Sequence, residues 1–393
     1  LSNDGVLQEA HHHKAGDVGE MLLNPLKRRE VLQVQARGEY LYAACGADGL
    51  RVFDIAFIDD KGFSQRITTA PVSPLGQQFY VKTPYATGVA APATTAPDPT
   101  RTHAPENFEQ PVHEMYAYLY VTDLEEGLVL VGAGTLLDGN PLNNFLKKDV
   151  TFNPGGILDG ARSITIAGTN AYICCNAGIV VVSIEKPKCP QVVAVIGGEQ
   201  VQDPRSVAIQ FRYAFVCDRE GLKTFDVTNP ATPIMLATVP IAQANSVYVA
   251  RTYAYVAAGR QGLLIIDVTN PNAPFLDQCF DGGGRIDDAR DVKLGITYVS
   301  QFAYLADGKN GRVYVIGAVG HLHCLDADSG KLLWSHDLVG KHQAQLSTWG
   351  YSGSPIVHGE LVIVHAGVPR GCYVAYDRRT GEERWRAGPA TRA

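Results

Sequence analysis

The chain has 393 residues, of which 19% are charged, and its net charge is −6. That balance excludes a basic face for nucleic acid, and no apolar run approaches the roughly 18 residues of a membrane-spanning helix. Forty Gly and 22 Pro, spread along the whole length, predict many short strands joined by many turns.

Residues 1–30 form a polar N-terminal segment. Leu1-Ser2-Asn3-Asp4-Gly5 carries no signal-peptide pattern, and the absence of an initiator Met leaves room for a cleaved leader. His11-His12-His13 reads as part of a flexible polar terminus, with a metal or haem ligand to a neighbouring protein as the alternative. The first structured unit is Tyr40-Leu41-Tyr42-Ala43-Ala44, with Gly49 at a turn and Asp54 at a strand end. Residues 68–112 are rich in Pro, Thr and Ala and are predicted to be a long surface insertion. A second unit follows at Tyr118-Leu119-Tyr120-Val121-Thr122-Asp123, with Gly127 at its turn. Residues 133–160 read as a Gly/Asn/Pro-rich connection. Four regular units then run to about residue 316, with their Ala at 171, 214, 254 and 303, in steps of 43, 40 and 49 residues.

Each unit has a physical logic. Ala-Tyr-Val alternates small and large apolar groups on a buried strand. Gly at the turn permits positive φ. A near-continuous apolar strand follows, as expected for a sheet covered on both faces. Asp-Val-Thr-Asn-Pro at 226–230 and 267–271 closes the unit with an Asx-type turn, and Pro ends the pairing. A repeat of this length, built from short strands, predicts an all-β fold: a β-propeller of seven or eight four-stranded blades.

The repeated Gly-Leu-x-x-x-Asp-Val-Thr-Asn-Pro pattern resembles the LVIVD-repeat family, β-propellers of exported proteins, over about residues 31–316. That resemblance implies a fold and an extracytoplasmic location (periplasmic, secreted or surface-associated) more than a function. After Gly311 the pattern changes. Asp326, Gly330 and Trp334 recur as Asp377, Gly381 and Trp385, each at a spacing of 51. This second pattern, over 312–388, resembles the PQQ-like repeat of quinoprotein and outer-membrane-assembly propellers. The resemblance implies that Asp and Gly shape a turn between outer strands and that Trp packs between blades. Two such units cannot close a ring alone, so they are expected to complete the ring begun by the earlier blades. The alternative is a hybrid of two propeller fragments, joined near Asn310-Gly311 and without activity of its own. In the single ring, the strand around Arg384-Trp385-Arg386 is expected to close against an early blade.

Chemistry has few candidates. The eight cysteines form no CxxC pair, which leaves zinc ribbons and covalent haem unsupported. Cys174-Cys175 invites comparison with the vicinal disulfide of quinoproteins, yet adjacent strand residues point to opposite faces. No cofactor is therefore expected, and PQQ with calcium is the alternative. Arg162, Arg205, Asn245 and Arg290 precede equivalent strands and form an expected axial polar ring that binds an anion or a partner's carboxylate. The competing reading pairs each Arg with a local acid such as Asp203, Asp287 or Asp288. His321 and His323 share one strand face. No Gly-x-Ser-x-Gly, P-loop or dinucleotide fingerprint occurs. The leading expectation is a non-catalytic binding or scaffolding module with a protein partner. A quinoprotein-like or other axial-site enzyme is the alternative.

Overall fold

The computed structural model describes residues 31–38, 40–54, 68–69, 80–92, 112–134, 146–281, 286, 288–296, 301–307, 312–316, 320–326, 332–342, 355–358, 360–366 and 372–388. Eight antiparallel sheets follow one another along the chain. The first holds β1 (Gln33–Arg37), β2 (Tyr40–Ala44), β3 (Leu50–Asp54) and β4 (Thr68–Thr69), with β5 (Tyr80–Val81) also on β3. The second holds β6 (Ala86–Ala90), β7 (Tyr118–Asp123), β8 (Gly127–Gly132) and β9 (Lys147–Phe152). The third is β10 (Ser163–Ala167), β11 (Asn170–Cys175), β12 (Gly178–Ser183) and β13 (Gln191–Ile196). The fourth is β14 (Ser206–Gln210), β15 (Tyr213–Cys217), β16 (Gly221–Asp226) and β17 (Ile234–Pro240). The fifth is β18 (Ser246–Ala250), β19 (Tyr253–Ala257), β20 (Leu263–Asp267) and β21 (Phe275–Phe280). The sixth has β22 (Ala289–Ile296) and β23 (Gln301–Asp307). The seventh has β24 (Arg312–Ile316), β25 (His321–Asp326) and β26 (Leu332–Asp337), followed by the helical turn α1 (Leu338–His342). The eighth has β27 (Ile356–His358), β28 (Leu361–His365), β29 (Tyr373–Asp377) and β30 (Glu383–Ala387).

The first strands of successive sheets pack side by side in the order β1, β6, β10, β14, β18 and β22. Meander sheets arranged radially on their inner strands make a β-propeller. Eight sheets sit at the upper end of the expected seven or eight blades, and the sixth and seventh are short of four strands among the described residues.

The repeat explains the blade. Ala171, Ala214 and Ala254 are buried and stand opposite Val182, Phe225 and Ile266 on the third strand. The small side chain makes room for the large one. At Gly221 (φ +146) an added Cβ would lie 2.1 Å from the Val239 carbonyl, so the third and fourth strands could not pair around a side chain there. Asp226 and Asp267 each accept from the backbone N–H two residues on, at 2.8 Å, which is the expected Asx turn. Every complete blade from the second to the fifth, and both blades at the C-terminal end, also carries a register shift in pairing its last two strands. Such bulges sharpen the local twist.

Apolar clusters join each sheet to the next from first to sixth. A separate cluster around Leu322, Val362, Val374 and Tyr376 joins the seventh to the eighth.

Four expectations are corrected. Residues 86–90 lie inside the expected 68–112 insertion, yet they are the fully buried inner strand of the second blade. Their small side chains suit a crowded axis rather than a surface loop: a Cβ on Gly88 would come within 2.5 Å of Gln33 and 2.7 Å of Thr122. Residues 147–152, read as connection, are that blade's outer strand, whose alternating exposure masked its identity. The unit after Ala303 does not continue past Gly311 in its own sheet. β24 pairs with β25 instead and opens the seventh sheet. Finally, β30 pairs with β29 as an outer strand and leaves Trp385 38% exposed, rather than closing on an early blade. The N-terminal segment with His11–His13, and residues 93–111, lie outside the described residues.

Candidate functional site: the axial polar belt

The strands β10, β14, β18 and β22 set down the expected ring at their entry points, and three of its four members form a belt. Arg162 donates from Nη1 to Asp203 Oδ1 at 2.7 Å and from Nη2 to Asn176 Oδ1 at 2.9 Å. Asp203 also faces Arg205, with Nη2 to Oδ2 at 3.5 Å. Arg205 donates onward to the Ala244 carbonyl at 3.3 Å and to Asn245 Oδ1 at 3.4 Å. Asn245 donates to the Ala289 carbonyl at 2.7 Å. The links from Arg162 to Asp203, from Arg205 to Ala244 and Asn245, and from Asn245 to Ala289 cross from one blade to the next, whereas Arg162 meets Asn176 and Asp203 meets Arg205 within a blade. Asp203 takes a left-handed backbone (φ 51), which Asp tolerates better than most residues.

Arg290 does not join. A register shift between Ala289 and Asp291 bulges it out of β22, and a bulge re-aims a side chain. It pairs with Asp288 at 2.9 Å and is 61% exposed, against about a third for Arg162 and Arg205. Asp291, the next residue and the equivalent of Ser163, Ser206 and Ser246, accepts from Ser246 Oγ at 2.5 Å. Of the local acids that the competing reading offers, Asp203 and Asp288 pair with these Arg residues, and Asp287 lies outside the described residues.

Smaller groups that the sequence reading missed extend the belt. Gln33 Oε1 accepts from Val89 N–H at 3.1 Å, between the first and second blades. Thr87 Oγ1 donates to the Ala161 carbonyl at 2.7 Å, and Thr165 Oγ1 to that of Val207 at 2.7 Å. Ser206 Oγ accepts from Val247 N–H at 3.3 Å. The signal was present: Ser, Ser, Ser and Asp follow Arg162, Arg205, Asn245 and Arg290.

Two further charged clusters lie away from the belt. Lys223 is fully buried in the fourth blade, bound to Asp218 at 2.9 Å, Glu220 at 2.7 Å and the Gln200 carbonyl at 2.8 Å. Burial acts to lower its pKa, but Glu220 and Asp218 prevail and leave it raised. Between the last two blades, His342 Nε2 meets Tyr376 Oη at 2.5 Å, and Glu383 Oε2 lies 3.9 Å from the same nitrogen. His336 stacks on Tyr376 at 4.3 Å, and Lys341 lies over the same ring at 5.1 Å. Burial, with Arg386 adding to it, pushes the His342 imidazole down to about 4. Its unfolded value is about 6.5. The unfolded chain therefore binds the proton first, and stability is full above pH 6.5 and falls between 6.5 and 4. The loss amounts to about 3 kcal/mol. His342→Gln is expected to flatten the pH dependence of denaturant midpoints between pH 7 and 4.5. An unchanged slope would assign that dependence to other groups, His323 and His336 first, since burial lowers both.

The residues suggested by quinoproteins do not meet. Cys174 packs with Val181, Val207 and Val216 toward the fourth blade, whereas Cys175 packs with Leu158 and Val180 toward the second. The two thiols are unbonded, and burial raises the pKa of both. Trp334 is a blade-to-blade residue, as its repeat implied: its Nε1 donates to the Arg378 carbonyl at 3.1 Å, beside donors from Arg312 and Tyr314. Trp349 lies outside the described residues. Cys174, Cys175, Trp334 and Trp385 therefore do not form a quinone site. His321 and His323 share a face, with ring centroids 6.0 Å apart, and no cluster of three metal-ligating side chains occurs among the described residues.

Comparison with known proteins agrees with the two repeat types. Residues 28–57, 203–240 and 242–281 match the LVIVD repeat, and 301–392 match the outer membrane protein assembly factor BamB. A stretch of 80 residues is 38% identical to the quinohemoprotein alcohol dehydrogenase ADH-IIG of Pseudomonas putida, covering 19% of this chain and 11% of that enzyme's length. Similar solved structures include BamB from Moraxella catarrhalis (15% identity, 91% of this chain and 85% of that one, TM-score 0.39). Another is the computationally designed Ika8 protein (11% identity, 93% and 89%, TM-score 0.44). The chain is thus an all-β propeller that carries LVIVD repeats and, at its C-terminal end, a BamB-like PQQ repeat region.

Proposed function

We propose that this propeller is a non-catalytic binding and scaffolding module of an exported protein, holding a protein partner outside the cytoplasm. The observation that carries the reading is the belt. Arg162, Asp203, Arg205 and Asn245, the polar side chains best placed for axial chemistry, are bonded to one another and onward to the Ala289 carbonyl. That leaves the outer strands as the free surface. Ile234 on β17 and Phe275, Leu276 and Phe280 on β21 are all close to half exposed or more, and exposed apolar groups on an outer strand suit a protein contact. Arg290, turned outward, is the ring member positioned to meet a partner's carboxylate. The match of 301–392 to an assembly factor supports the same class.

The quinoprotein-like oxidoreductase is the second reading, and the 38% identical stretch favours it. One experiment separates the two. A photo-crosslinking residue is placed at Phe280 in an exporting host, and the purified protein is titrated with PQQ and calcium. A discrete adduct with another polypeptide, with no quinone absorption, is the expected result. Stoichiometric quinone binding with alcohol oxidation, and no adduct, would replace the scaffold with the enzyme.

A further inference from the structure

Phe211 stands where the fold asks for glycine. Four blades open with a hairpin whose loop has two residues, bounded by the pairs Arg37↔Tyr40, Ala167↔Asn170, Gln210↔Tyr213 and Ala250↔Tyr253. The first loop residue is left-handed in all four: Gly38 (φ 60), Gly168 (φ 59), Phe211 (φ 54) and Arg251 (φ 56). A two-residue loop that matches the strand twist requires this backbone, and glycine adopts it without strain. A bulky side chain there is an outlier. A Cβ at Gly38 or Gly168 would meet nothing within 4 Å, so a side chain at this position enters open space and gains no packing. The Phe211 ring is accordingly 92% exposed, the most exposed large apolar side chain among the described residues. It weakens the fold twice, by backbone strain and by apolar surface left in water. Both are marks of a contact site.

The surroundings say what the ring meets. The third, fourth and fifth blades present their turns at this end together. Ile184, Val227 and Val268, which follow the third strands, donate from N–H to the loop carbonyls of Thr169, Arg212 and Thr252. Exposed cations surround Phe211 there: Arg212 beside it, Arg251 at the equivalent tip of the fifth blade, and Lys186 and Lys188 in the turn of the third. Arg212 lies over the Tyr213 ring at 5.1 Å and donates to its Oη at 3.0 and 2.9 Å, which holds the guanidinium at the tip. Of the acids in these turns, Asp226 and Asp267 are turned back on Thr228 and Thr269, which leaves Glu185. A second copy laid on this end would set cations against cations. A protein partner would need a pocket for the ring and acids matched to each cation. A fluid anionic headgroup layer needs neither: an aromatic ring settles at its depth, and Lys and Arg meet its phosphates without a fixed geometry.

We propose that this end of the third, fourth and fifth blades lies on a membrane surface, with Phe211 in the interface of an anionic bilayer and Arg212, Arg251, Lys186 and Lys188 on its phosphates. The proposal does not depend on the scaffold reading. It is tested by sedimentation of the whole chain with vesicles of phosphatidylcholine alone and of phosphatidylcholine mixed equally with phosphatidylglycerol. At about 30 mM salt the wild type is expected to favour the mixed vesicles by at least about fivefold, the effect of a single cation near the surface. Raising the salt to about 300 mM should remove most of that preference. Phe211→Gly should lower partition to the mixed vesicles at least about fivefold, while melting close to the wild type because glycine suits the turn. Arg251→Gly should lower it by about the same factor. Phe280 is the control: it is 59% exposed and stands at the opposite end of the fifth blade, paired with Leu263. Phe280→Ser should partition as the wild type does. A wild type that ignores both vesicles, or takes both equally at low salt, would overturn the proposal and leave Phe211 to a protein partner. So would unchanged partition of Phe211→Gly, or an equal loss in Phe280→Ser, which would make the binding general adhesion. If Phe211→Gly does not fold, unchanged partition of Arg251→Gly would overturn it.

Discussion

A chain ended at Pro355 melts in a single transition at least about 10 °C below the full-length protein. The deletion removes all four strands of the eighth sheet and half of the cluster that holds the seventh. Leu322, Leu338 and Trp334 lose Val362, Val364, Val374 and Tyr376. Truncating one large core side chain costs about 2–5 kcal/mol, and here several partners go at once. The Arg378 carbonyl goes too, and with it the common acceptor of Arg312, Tyr314 and Trp334. In a protein of this size each kcal/mol moves the midpoint by about 2–4 °C. Calorimetry reads the result. We propose that residues 312–388 complete one ring with the earlier blades, which demands that the single transition shift as a whole. Two transitions in the full-length protein, with the larger unmoved by the deletion, would divide the chain into two independently folding parts.

Asp218→Ala lowers stability by about 3–5 kcal/mol, the scale for breaking a buried ion pair. The carboxylate does more than neutralise Lys223. Its Oδ1 accepts from the backbone N–H of Glu220 at 2.8 Å and Gly221 at 3.2 Å, and Oδ2 accepts from Gln202 at 3.1 Å. Its removal orphans three donors and leaves Lys223 with only Glu220, itself half exposed, as a charged partner. Chemical denaturation gives the loss directly. The double variant Asp218→Ala/Lys223→Met should recover part of it, because the uncompensated ammonium is then gone. A single-variant loss below about 1 kcal/mol, the scale of a surface pair, would mean that Lys223 is solvated in solution.

The architecture was legible because each blade is a local event. The Ala, the turn Gly and the closing Asp sit within one unit of about forty residues, and each acts on neighbours a few positions away. A repeated residue therefore reports a repeated contact, and the Asx turns at Asp226 and Asp267 followed directly. The change of repeat type near Asn310-Gly311 was legible for the same reason.

The site was not local. Whether Arg162 and Arg205 await a ligand or hold the ring together depends on Asp203, which approaches Arg162 across a blade boundary 41 residues later in the chain. A single bulge decides that Arg290 leaves the belt while Asp291 enters it, and strand patterning carries no mark of that shift. The small residues of 86–90 look like loop composition until the crowded axis gives them a reason. The blades can be read from the order of residues because their contacts are short-range and repeated. Which polar side chains are satisfied emerges only when the blades pack, because many of their partners lie on the next blade and pairing there turns on register and burial.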